Sequence, residues 1–267
     1  MKILAPPQAL ALLFALSASA LAVDPLARLP MQFPQDAATP VIIMDFEGPS
    51  LSDPGRDQFL AIYGDGRTIV SVPGEPGRQI SGQIPAREFE QLLSCLLLEN
   101  RLLRCESSQM QREIRAARRA RQRPEPGRDA ATTVIRVRGV DADHEVRCHA
   151  LGLTASQLPE LAQVQDLFAC QQRLENVAAV IRAGGYDNVN AVLSAANRKL
   201  KQQAPHSDLL TCRELSLVDV RADGTRYLQF ARFPNADGLQ PVGGFVMVSV
   251  YQSPGRPPEI TVTADAS

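Results

Sequence analysis

The chain contains no tryptophan and only four tyrosines. Aromatic platforms for stacking sugars or bases are therefore poorly supplied. It also lacks an excess of charge of either sign. Lysine and arginine total 28 against 29 aspartate and glutamate residues. A balance of this kind gives no bulk attraction to nucleic acid or to anionic lipid, and nucleic acid is not expected as a partner. Only three of the basic residues are lysine, Lys2, Lys199 and Lys201. No serine sits in a glycine-flanked nucleophile-elbow pattern. The glycines at Gly64-Asp65-Gly66 and Gly184-Gly185 do not have phosphate-loop spacing.

Long apolar runs are missing except at the start. Lys2 precedes an apolar core from Ala9 to Leu16, and small residues lead to Ala20-Leu21-Ala22. This is the layout of a cleavable secretory signal peptide over residues 1–22, with the cut before Val23. A membrane anchor would need about 20 apolar residues. The expectation is thus an exported protein, periplasmic or extracellular, with no transmembrane segment in the mature chain. The remaining 245 residues are enough for one large domain or two small ones.

Five cysteines remain: Cys95, Cys105, Cys148, Cys170 and Cys212. An oxidising compartment favours disulfides, so one or two are expected, with at least one thiol left over from the odd count. The wide spacing matches neither a disulfide-dense scaffold nor paired zinc knuckles, and it does not reveal which cysteines pair.

Residues 23–40 form a proline-rich extended lead. Three hairpins follow, with turns near Asp65, Asp141 and Asp223, since Asp and Gly tolerate tight-turn backbone angles. Pro73 to Gly82 reads as loop. Phe89, Leu92, Leu93, Leu96 and Leu97 recur at helical spacing, predicting a helix from Pro85 to about Leu103. A second long helix is expected from a Ser156 cap to Gly184, and a third from about Asn188 to Lys201. Two further strands complete a C-terminal meander. Residues 41–267 are expected to be one α+β globular region: an antiparallel β-sheet built from hairpins, with helices packed on one face. An arginine-rich solvated helix and linker over 107–128 is the candidate boundary between two halves, 41–106 and 129–267, although the sequence does not decide whether it divides two domains or crosses one.

Four sets of residues are chemically suggestive. Asp141, Asp143, His144, Glu145, Cys148 and His149 include the right ligand types for zinc or copper. Strand alternation, however, places His144 and Cys148 on one face and His149 on the other. Cys212 or Cys148 with His206 or His149 offers nucleophile and base without a local elbow. Asp45 and Glu47, with Asp53 and Asp57 beyond, form a carboxylate group near a strand end. The arginines from Arg112 to Arg128 make a basic face suited to an acidic partner.

None of these sets outweighs its plainer structural explanation, so no catalytic, cofactor or metal residue is assigned. The expectation is a non-enzymatic binding or envelope-associated protein that presents a sheet surface or loops to a protein partner. The alternative is a metal- or thiol-dependent hydrolase using His144, Cys148 and His149.

Overall fold

The computed structural model describes residues 29, 31–34, 36, 38–48, 59–72, 74–221, 223–232 and 245–264. The expected signal segment, Asp53 and Asp57 lie outside them. The fold is α+β, with two antiparallel sheets and five helices among the described residues.

The first sheet has six strands: β1 (Pro40–Glu47), β2 (Leu60–Tyr63), β3 (Arg67–Ser71), β4 (Gln79–Gln83), β5 (Thr132–Arg138) and β6 (Asp143–His149). Their order is β4-β3-β2-β1-β5-β6. The β1 sequence Val41-Ile42-Ile43-Met44 is a continuous apolar run, and all four residues are buried. Such a run suits a central strand covered on both faces. The Arg-rich segment lies between β4 and β5 in the chain, yet β1 pairs directly with β5.

The β2–β3 turn is closed by a bond from Gly66 N to Tyr63 O at 2.9 Å. Gly66 has φ +83°, and a Cβ there would lie 2.7 Å from Ile84 O, so glycine is required. The segment expected as loop up to Gly82 is instead a turn followed by β4. Its residues alternate between outward and half-buried positions, and glycine is tolerated because a helix backs closely against the strand.

The expected first helix is three pieces. α1 (Ala86–Ser94) passes into a π turn at Cys95–Glu99 and then a 3₁₀ turn at Leu102–Arg104. α2 (Ser107–Ala120) follows. Ser107 Oγ accepts a bond from Arg147 N at 2.9 Å, so α2 lies along the outer edge of β6 and covers part of it.

The helix expected to start at Ser156 is two helices. α3 (Leu151–Gln157) leaves β6 directly, Pro159 falls in the break, and α4 (Ala162–Arg182) then begins. Proline lacks the N–H that a continuous helix would need there. α5 (Gly185–Gln203) starts immediately after Gly184 and not at Asn188.

The second sheet is β7 (Leu215–Val220), β8 (Arg226–Arg232), β9 (Val246–Gln252) and β10 (Glu259–Ala264), in the order β10-β9-β8-β7. α4 touches β3 and β4 of the first sheet and β7 of the second, while α5 touches β9 and β10. The two long helices thus join both sheets in one apolar core, which includes Met44, Val177, Leu193, Phe230 and Val248. Among the described residues no helix is long and apolar enough to cross a membrane.

The expected disulfides are corrected: all five cysteines are free. Each thiol sits on a different element and has a polar neighbour. Cys105 and Cys170 face the carbonyls of Gln163 and Leu96. Cys148 faces His149 O and Cys212 faces Asn190 Oδ1. Asn100 Nδ2 lies 3.6 Å from Cys95 Sγ.

Candidate functional site

Two regions stand out from the rest of the surface: a cleft where β6 runs into α3, and the outer edge of β7.

Of the polar cluster that the sequence singles out around β6, Cys148 and His149 line the cleft, and the strand separates the rest. In the ladder His144 lies opposite Val137 and Cys148 opposite Thr133. Both belong to the core face, as period two dictates, while His149 faces away. His144 Nε2 is buried without a hydrogen-bond partner. His149 Nε2 lies 3.2 Å from Gly127 O, and its Nδ1 lies 3.3 Å from Thr132 Oγ1. A carbonyl only accepts, so Nε2 carries a proton, assigned from this partner. Both ring nitrogens are therefore occupied. Burial pushes the Cys148 thiol up to about 11, and the nearby Arg118 guanidinium pulls it down only in part. Among the described residues no group of three or more His, Cys, Asp or Glu is placed to hold a metal ion.

The other sequence candidates fall elsewhere. Asp45 Oδ1 accepts from Phe46 N at 2.8 Å. Glu47 pairs with Arg147 at 2.7 Å and reaches Arg136 at 3.9 Å. Glu145 also pairs with both arginines, and these bonds, led by that from Arg136, lower its pKa. This four-member network occupies the outer face of β1, β5 and β6. Among the described residues no bond links the exposed His206 to Cys212 or Cys148. Cys212 lies 3.0 Å from Asn190 Oδ1, and burial raises its pKa.

The residue that changes the picture is Arg118. The sequence suggests a solvated helix, but Arg118 is only 2% exposed. The available signal is its spacing: Met110, Ile114 and Arg118 recur every four residues, and Met110 and Ile114 pack against the core. Arg118 Nη1 donates to Pro124 O, and Nη2 donates to Thr154 Oγ1 at 3.2 Å. Its Nε is buried with no partner. Among the described residues no carboxylate pairs with it. Around it lies a cavity of about 170 Å³, lined also by Arg115, Glu125, Arg147, Cys148, His149 and Thr154. Among the described residues, two of the three non-glycine residues with positive φ flank this place, Gln122 at +52° after α2 and Ala150 at +51° before α3.

The second region is β7. It pairs on one side with β8 and on the other with no strand among the described residues. Four of its six residues are exposed, including Leu217 at 47% and Val220 at 45%. A register shift between Leu215 and Leu217 marks a bulge at its start. The strand is anchored from inside by Asn176 on α4, whose Nδ2 donates to Leu215 O at 3.1 Å and to Cys212 O at 2.8 Å.

No protein-family model matches the chain, and no similar curated protein or solved structure was found.

Proposed function

We propose that this chain is an exported binding protein that recognises an extended segment of an envelope protein by adding it to β7. The observation that carries this reading is the β7 edge itself, with Leu217 and Val220 exposed on a strand with no outer neighbour among the described residues. Backbone groups on such an edge supply hydrogen bonds to an incoming strand, and alternate side chains supply selectivity. Export is supported by the signal-like segment at residues 1–22.

The reading that competes, a metal- or thiol-dependent hydrolase at His144, Cys148 and His149, finds less support. A thiol nucleophile needs a lowered pKa, and that of Cys148 is raised. The two histidines face opposite sides of β6.

The test is site-specific photo-cross-linking at Leu217 in the producing cells, together with Leu217→Asp/Val220→Asp. The expected result is a discrete cross-linked envelope protein that the double variant loses without a change in melting temperature. N-terminal sequencing should also find the mature chain beginning at Val23. No cross-link at Leu217 or at Val220 would overturn the reading.

A further inference from the structure

A guanidinium taken out of water is costly unless an anion or a full set of acceptors answers it. Arg118 has two neutral acceptors, an Nε with none, and no carboxylate partner among the described residues. Two other half-buried arginines, Arg173 and Arg182, also leave Nε unsatisfied. Of the three, only Arg118 is almost fully buried and also lines a cavity.

We propose that the cleft between α2, the end of β6 and the start of α3 binds a small oxyanion. Arg118 supplies its inner donor and Arg115 its outer one. Each terminal nitrogen of Arg118 keeps one hydrogen beyond those donated to Pro124 and Thr154, and these suit a carboxylate or phosphate oxygen. Arg115 lines the same cavity, is exposed, and has no ion pair among the described residues. Arg147 also lines it, but Glu47 and Glu145 already neutralise that charge. His149 already has both ring nitrogens engaged, by Thr132 and Gly127. Glu125 at the exposed rim is the one carboxylate lining the cavity, and it leaves an excess of positive charge.

Size narrows the ligand. At about 170 Å³ the cavity is well below the roughly 300 Å³ where sites for drug-sized molecules begin. The fitting class is a free phosphate or carboxylate ion, or such a group at the tip of a larger molecule. The bonds from Arg118 to Pro124 and Thr154 hold its guanidinium in place before any ligand arrives. This site is separate from the β7 edge, and the two proposals stand or fall independently.

The experiment is isothermal titration of the purified mature chain with inorganic phosphate and, separately, with acetate. The expected result is saturable one-to-one binding of at least one of them, accompanied by a rise in melting temperature. Phosphate alone would identify a phosphoryl ligand, and acetate alone a carboxylate. Arg118→Gln should abolish the binding. Arg115→Gln, at an exposed position, should weaken it about tenfold and decides the matter if Arg118→Gln does not fold. Arg112→Gln, on the same helix but outside the cavity, should leave it unchanged. No saturable binding of either ion overturns the proposal. So does an equal loss in Arg112→Gln and Arg115→Gln, which would mean only general charge attraction.

Discussion

Gly82 on β4 lies so close to Ile181 on α4 that an added Cβ would sit 2.8 Å from Ile181 Cδ1 and 3.0 Å from its Cγ2. Ile181 is itself 2% exposed, so it has little room to move aside. This contact brings the longest helix against the last strand of the six-stranded sheet. Gly82→Ala is therefore expected to destabilise the protein by about 1–3 kcal/mol through overpacking. Urea unfolding measures it. Ile181→Val should recover part of the loss in the double variant, giving a coupling free energy of opposite sign to the single losses.

Asn176 is the side chain that joins α4 to the second sheet. It bonds two backbone carbonyls, those of Cys212 and Leu215, and accepts from Arg173 Nη1 at 3.0 Å. Asn176→Ala leaves these groups without their partner, at a cost of about 1–3 kcal/mol. Hydrogen exchange should speed up selectively in β7 and the adjoining 3₁₀ turn. A uniform change across both sheets would show that Asn176 has no local anchoring role.

Two glutamates respond to pH with opposite sign. The Glu145 pKa is lowered by its bonds to Arg136 and Arg147. Its contribution is present above the ordinary glutamate range and is lost as pH falls through the depressed folded value. Glu145→Gln should thus destabilise slightly at neutral pH, by less than about 1 kcal/mol at so exposed a site, and not at all in strong acid. Glu175 is raised by burial, despite the bond from Gln171. The folded state then holds its proton more tightly than the unfolded state, so stability falls as pH rises through that window. Glu175→Gln should stabilise the protein at neutral pH, and the gain should vanish in acid. Melting temperatures between pH 3 and 8, roughly spanning both windows, check both signs.

Thiol reactivity should divide the cysteines by depth. Cys105, Cys148 and Cys170 are buried, while Cys95 and Cys212 are half-buried. Burial raises the pKa of all five, Cys105 to about 12. Thiolate is the reactive form, so alkylation of the native protein should be slow, confined first to Cys95 and Cys212, and complete only after denaturation. Rapid modification of Cys148 in the native state would contradict its burial and the raised pKa that burial brings.

The sequence by itself determined the fold class, the three hairpins and the facing of residues along β6. These depend on local rules. Asp and Gly close tight turns, and alternation along a strand separates His144 and Cys148 from His149 whatever surrounds them. It did not reveal β4, because Gly82 reads as a loop residue until Ile181 is seen backing against it. Nor did it show that α3 and α4 are separate, since Leu158 and Leu161 continue the apolar periodicity across Pro159.

The cysteines and Arg118 were decided only by the tertiary structure. Whether thiols pair depends on which elements meet, and here Cys95, Cys105 and Cys170 come near one another without bonding. An arginine within a run of arginines looks solvated, because neighbouring charges lie all around the helix. Packing of Met110 and Ile114 toward the core turns one position of that run inward. The contact with Thr154, 36 residues away in the chain, then holds the charge beside the cleft. The four-residue spacing from Met110 to Arg118 marks the inward face, but a partner 36 residues away leaves no local signature, and this is why the site emerges only once the chain is folded.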